Sequence, residues 1–205
     1  DYIGDEKGRE KIKKITSYRG EEENTPLASE MTYHYQATGE FDLDNDDDKI
    51  DKDDLDYVEQ KTYSYTLRDG VTTAITQRSI VKYTGSEGAE RIREVVSFRA
   101  NGDTIGRSVY IYDSSDAIDK VVQAKGPGNV SGVVQEIEAG RDGSSAIAGL
   151  SAQDVNSLSI TNYEGFEGEE LINTIASYEK HPENDSLRLA VRSTYNYNDE
   201  RALDT

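Results

Sequence analysis

The sequence predicts a mainly β protein: three tandem repeats of antiparallel β-hairpins, with short helices in the inter-repeat insertions. Three observations predict it. A block of matched positions recurs three times at a period of about 80 residues, and self-similarity at a fixed period is the mark of a repeat architecture. Asn101-Gly102 lies between two apolar runs, and both residues tolerate the positive φ of a tight hairpin turn. Each block closes on Tyr-x-Tyr; in the second copy this lies in Ser108-Val109-Tyr110-Ile111-Tyr112, β-branched and aromatic as strands prefer.

The copies open on Tyr-x-Gly at Tyr2, Tyr83 and Tyr163. A second glycine follows at Gly8, Gly88 and Gly168, and a glutamate at Glu10, Glu90 and Glu170. Next come aliphatic pairs: Ile12 and Ile15, Ile92 and Val95, Ile172 and Ile175. Ser-aromatic dipeptides follow at Ser17-Tyr18, Ser97-Phe98 and Ser177-Tyr178. The closing tyrosines are Tyr33/Tyr35, Tyr110/Tyr112 and Tyr195/Tyr197, each pair on one face of its strand. These copies divide the chain into 1–78, 79–158 and a shorter 159–205.

The first copy lacks the lead-in strand present at Ser79-Ile80-Val81-Lys82 and Ser159-Ile160-Thr161-Asn162, and the chain starts at Asp1. The expectation is a segment with open sheet edges, either completed head to tail by a strand from a neighbouring copy or left by a cut through a longer array. Residues 42–56 are dense in aspartate, with Asp42, Asp44, Asp46 and Asp48 alternating and Asp53-Asp54 behind them. Crowded carboxylates repel one another until a cation arrives, and Ca²⁺ takes six to eight oxygens. Calcium is the expected cofactor; a solvated acidic loop is the other reading. Residues 57–82 read as a further hairpin, with Tyr63 and Tyr65 before an Arg68-Asp69-Gly70 turn.

Ile92, Val95 and Val96 sit at i, i+3, i+4, which suits a helix face or a strand carrying a bulge. The Asn101-Gly102 turn calls for a partner strand, and a two-residue turn there places Phe98 opposite Ile105. Residues 113–158 read as a surface insertion. Ala117–Ala124 has helical spacing, and Ser151-Ala152-Gln153-Asp154 resembles a capping box opening a short helix. Asn129-Val130-Ser131 and Asn184-Asp185-Ser186 fit the glycosylation acceptor pattern.

The net charge is −18, from 41 acidic and 23 basic residues. A phosphate backbone would be repelled, so nucleic-acid binding is disfavoured. No run of 18 apolar residues occurs, so no membrane insertion is expected. There is no cysteine, hence no disulfide or thiolate metal site. Hydrophobic content is 34%, and 14 tyrosines supply most of the aromatic surface, which suits thin sheets with partly wet faces.

No catalytic centre is expected. The unit holds Ile111 and Asn196 where the first copy holds His34, and His181 precedes Pro182 in a turn. No Gly-x-Ser-x-Gly elbow occurs, and Gly126–Gly132 lacks the ending of a phosphate loop. The recurrent Glu10, Glu90 and Glu170 are read as acceptors for backbone N–H groups at the glycine turn, since an enzyme needs one site rather than three.

The aspartate stretch resembles the calcium loops of EF-hand and dockerin modules. The resemblance implies ligands at Asp42, Asp44, Asp46 and Asp48, with the last at Asp53, or at Asp54 if the loop is expanded by one residue; Asp47 stands where those families have glycine. The Tyr- and Gly-punctuated hairpins resemble the tyrosine-aspartate repeats of large bacterial surface and secreted proteins. That resemblance implies an extracellular or cell-surface repetitive β structure. The expected function is a structural subunit of a fibre or surface array, with copies of itself as partners. An extracellular binding module for glycans or proteins is the alternative, and a polysaccharide-active enzyme the third reading.

Overall fold

The structure, a computed structural model, describes residues 2–3, 11–18, 27–35, 55–65, 73–85, 89–151 and 153–197. The fold is mainly β, with strands in antiparallel order along the chain and two short helices among the described residues. Two compact units divide at Asp103/Thr104, inside the second sequence copy, so packing and repetition partition the chain differently.

The first unit holds β1 (Tyr2–Ile3), β2 (Lys11–Ile12), β3 (Lys14–Tyr18), β4 (Leu27–Tyr35), β5 (Leu55–Tyr65), β6 (Thr73–Thr84) and β7 (Arg91–Arg99). β3 to β7 pair each with the next. Ile92, Val95 and Val96 thus lie on a strand, and the odd spacing has a cause: Arg93 is an extra residue between the pairs Lys82↔Glu94 and Tyr83↔Ile92. Each face has one buried valine near its centre. Val58 lies in the row Tyr33, Val58, Val81, Val95; Val96 lies in the row Thr32, Glu59, Ile80, Val96. The Val96 face is laced with ion pairs: Lys14–Glu30 and Lys82–Glu94 at 2.8 Å, Lys61–Glu59 at 3.0 Å, and Arg78–Glu59. Arg78 also lies over the Phe98 ring, 5.3 Å from its centroid. This is the thin sheet that the low apolar content leads one to expect.

At the end of β7 the Asn101-Gly102 turn forms, with Gly102 at φ 90°. It has three residues rather than two. Arg99 N–H donates to Asp103 O (2.8 Å) and Gly102 N–H to Arg99 O (3.0 Å). Asp103 N–H caps Asn101 Oδ1 at 3.1 Å, an Asx turn that lengthens the loop. The register expected of a two-residue turn, Phe98 opposite Ile105, therefore does not apply.

The second unit holds β8 (Thr104–Tyr112), β9 (Ile118–Lys125), α1 (Ser131–Glu138), α2 (Ser144–Ala148), β10 (Ser157–Glu164), β11 (Leu171–Lys180) and β12 (Leu187–Thr194). Its strands again pair each with the next. Two expectations are corrected here. Ala117–Ala124 holds no helix; Ile118–Lys125 is a central strand. Val121 and Val122 face opposite sides and are 5% and 0% exposed, and a strand buried on both faces imitates helical spacing. Nor is the insertion a surface loop. Val130, Val133, Val134, Ile137, Ile147 and Val155 pack with Val109, Val122, Leu158 and Ile160 into one aliphatic core. Burying such side chains is worth about 1.5–3 kcal/mol each, so this insertion supplies much of the unit's apolar burial.

Helix α1 buries Val133, Val134 and Ile137, one stripe of its surface. It ends at Gly140, φ 76°, where Gly140 N–H bonds Ile137 O and Arg141 N–H bonds Glu136 O, both 2.9 Å. That pair satisfies two terminal carbonyls. The capping box at Ser151 forms its hydrogen bonds without a helix: Ser151 N–H and Oγ–H donate to Asp154 (3.0 and 2.7 Å), and Gln153 N–H donates to Ser151 Oγ (3.2 Å). Only one turn follows before Val155 enters the core and β10 begins.

Candidate functional site

The six aspartates expected to bind calcium, Asp42, Asp44, Asp46, Asp48, Asp53 and Asp54, lie outside the described residues. Their segment connects β4 to β5, and its flanks are held side by side by the pairs Tyr35↔Leu55 and His34↔Tyr57. Among the described residues no group of three His, Asp or Glu side chains is placed to hold a metal ion.

The histidines have local partners. His34 stacks on its cross-strand neighbour Tyr57, centroids 4.0 Å apart and planes at 12°. Burial lowers its pKa, against the pull of Glu59 and Asp56. His181 Nδ1 accepts from Glu183 N–H at 3.2 Å, a turn contact. Of the sequons, Asn129 Nδ2 donates to Asp154 Oδ1 at 3.2 Å, and Asn184 Oδ1 accepts from Ser186 N–H at 3.0 Å.

The described residues instead bring together the repeat positions. Tyr2, Tyr83 and Tyr163 pair with Ile12, Ile92 and Ile172 in the same register. Gly85 and Gly165, third in their Tyr-x-Gly, have φ 107° and 120°. A Cβ on Gly85 would lie 2.4 Å from Ala89 O, so the turn admits only glycine. Glu170 closes the same turn. Its carboxylate accepts its own N–H, that of Ile118 at 3.1 Å and that of Gly168, which holds its pKa below the ordinary glutamate range.

The closing tyrosines work alike in the first and third copies. Tyr33 N–H bonds Lys13 O and Tyr195 N–H bonds Asn173 O, both 2.9 Å. Tyr35 Oη–H donates to Ile12 O (3.0 Å) and Tyr197 Oη–H to Ile172 O (2.9 Å). Burial, and then the neighbouring Tyr33, raises the pKa of Tyr83; burial and then Tyr110 raise that of Tyr163. Among the described strand pairs, each of the seven register shifts falls at a step onto a tyrosine of the earlier strand: Tyr18, Tyr35, Tyr63, Tyr83, Tyr112, Tyr163 and Tyr178. The extra residue always sits on the following strand. Such bulges bend the strand and increase its twist.

A further equivalence escapes the ten-position match. β5 lies on β4 as β9 lies on β8: Tyr33↔Val58 and Tyr35↔Leu55 match Tyr110↔Val121 and Tyr112↔Ile118. The strands share a pattern, Leu55-Asp56-Tyr57-Val58-Glu59-Gln60 against Ile118-Asp119-Lys120-Val121-Val122-Gln123. The connections differ in length, 36–54 against 113–117, and that hides the likeness in the sequence.

No protein family matches the chain, and no curated protein matches its sequence. A solved structure similar to it is that of a protein of unknown function from Bacteroides fragilis NCTC 9343. The identity is 8% and the TM-score 0.20, over 88% of this chain and 91% of that one; at that score the likeness assigns nothing.

Proposed function

We propose that this chain is a structural protein, a subunit of an extracellular fibre or cell-surface array that extends head to tail through its β edges. The observation that supports the reading is the recurrence of one hydrogen bond. In the first and third copies the last conspicuous tyrosine gives its hydroxyl to the backbone carbonyl of the same repeat position, Ile12 and Ile172. The hydroxyls of Tyr35 and Tyr197 are thus engaged with the scaffold, which favours the structural reading over a glycan platform built on these two tyrosines. The recurrent glutamate behaves likewise at Glu170, bonded to turn backbone.

Calcium fits the same role. Held by the carboxylates of residues 42–54, it would stiffen the connection between β4 and β5, whose ends are already clamped by the Tyr35↔Leu55 pair. Electron microscopy and light scattering over a concentration series test the proposal. Filaments or ordered arrays that grow with concentration are expected; monodisperse monomers throughout would overturn it.

A further inference from the structure

Asn101-Gly102 is the one Asn-Gly step in the chain. Every residue of its turn, from Arg99 to Asp103, is exposed. The backbone nitrogen that follows an asparagine is tethered beside the side-chain amide carbon and can attack it, closing a cyclic imide. A side chain on the following residue hinders that attack, and glycine has none. The surroundings of Gly102 are open as well: a Cβ placed on it would meet nothing within 4 Å.

Little holds the ring closure back. Gly102 N–H donates to Arg99 O at 3.0 Å. The Asn101 side chain is tied to Asp103, with Oδ1 accepting Asp103 N–H at 3.1 Å and Nδ2 donating to Asp103 Oδ2 at 2.7 Å. All three bonds belong to exposed residues, so a local opening of the turn frees the groups without disturbing a core.

A comparable step in the second unit, Asp142-Gly143, is closed off. Gly143 is buried, where a Cβ would lie 3.3 Å from both Val133 Cγ1 and Ile137 Cγ1. Its carbonyl accepts from Ile147 N–H at 2.9 Å, the first bond of α2. The hydroxyl and N–H of Ser144 hold the Asp142 carboxyl below the ordinary aspartate value, so it stays an anion, the form that resists a nucleophile.

We propose that Asn101 is a site of spontaneous covalent modification, converted through a cyclic imide to aspartate and isoaspartate. Gly102 N bonds to Asn101 Cγ and gives up its proton. The Cγ–Nδ2 bond breaks, and the nitrogen leaves with that proton as ammonia. Water then opens the ring. Attack at Cγ gives aspartate; attack at the Asn101 backbone carbonyl gives isoaspartate, whose main chain runs through the former side chain. Each event consumes one water, releases one ammonia and takes the net charge of −18 one unit lower.

The product loosens the turn that made it. Aspartate at this position has no amide donor for Asp103 Oδ2, and two carboxylates face each other where the 2.7 Å bond stood. Isoaspartate also lengthens the main chain between Arg99 and Asp103, whose 2.8 Å bond closes the loop.

Incubating the full chain at mildly alkaline pH, with isoelectric focusing, ammonia assay and peptide mapping over time, tests the site. Acidic species are expected to accumulate together with ammonia and to map to the Asn101 peptide as aspartate and isoaspartate. Asn101→Gln has to close a larger, less favourable ring and is expected to form them at least about tenfold more slowly. Asp142 is expected to gain isoaspartate more slowly than Asn101. A folded chain left unchanged while the urea-unfolded chain converts would overturn the proposal. So would earlier conversion at another asparagine, or isoaspartate appearing at Asp142 as fast as at Asn101. Asn101→Asp supplies one product directly, and its Gly102 and Asp103 amides are expected to exchange hydrogen faster than in the native chain; unchanged exchange would overturn the effect on the turn.

Discussion

The Tyr197 hydroxyl donates to the Ile172 carbonyl, 2.9 Å away, on the strand beside its own. Tyr35 and Ile12 form the same bond at 3.0 Å. Removing the donor leaves a half-buried carbonyl short of a partner, at a cost of about 1–2 kcal/mol. Tyr197→Phe and Tyr35→Phe are each expected to lower unfolding free energy by that amount. Urea denaturation measures it, and losses below a few tenths of a kcal/mol in both would show the hydroxyls to be idle.

Gly85 and Gly102 both have positive φ but differ in surroundings. Gly102 has open space around it, whereas a Cβ on Gly85 meets Ala89 O at 2.4 Å. Gly102→Ala is expected to cost about 1 kcal/mol, from backbone strain alone. Gly85→Ala adds a clash with backbone and is expected to cost about 3 kcal/mol. Thermal melts of the two variants give the order directly.

Leu158 is 2% exposed within the aliphatic core, and Val191 57% exposed on β12. Leu158→Ala is expected to lose about 2–5 kcal/mol and Val191→Ala less than about 0.5 kcal/mol. Chemical denaturation separates them; equal losses would contradict the placement of the core.

Backbone N–H donors hold the Glu170 carboxyl below the ordinary glutamate range. A carboxyl depressed on folding stabilises the protein above its unfolded value, and that contribution fades as pH falls through the folded value. Glu170→Gln is therefore expected to be the less stable protein at neutral pH. The gap should close on acidification past the ordinary glutamate value. Melting temperatures of both proteins across that range check it, and a gap independent of pH would assign the loss to something other than charge.

Calorimetric titration with CaCl₂ tests the acidic segment. Heat release and a raised melting temperature are expected for the native chain. Both should vanish when Asp42, Asp44, Asp46 and Asp48 are changed together to asparagine. A flat titration of the native chain removes calcium from the account.

The mainly β fold was legible because its signals are local and chemical: glycines forced to positive φ, tyrosines two apart, and a glutamate at a fixed distance. The core was not. Val121-Val122 is buried on both faces, so its strand lacks the alternation that identifies one. Helix α1 did leave a trace, Val133, Val134 and Ile137 on one stripe with Gly140 to stop it, but its weight comes from packing on β9 and β10, which no local pattern records. The likeness of β5 and β9 was hidden for a third reason. Asp56 and Asp119 correspond only once strands are paired, because the preceding connections differ in length.

The tyrosine-marked register shifts give corresponding strands the same backbone register. A strand that lost its neighbour could adopt the counterpart from elsewhere in the chain, or from another molecule, and find its backbone register already marked. Such a design tolerates lengthening by whole modules, because each newcomer brings its own alignment mark. It also exposes the protein to trading segments between molecules when many copies refold together at high concentration.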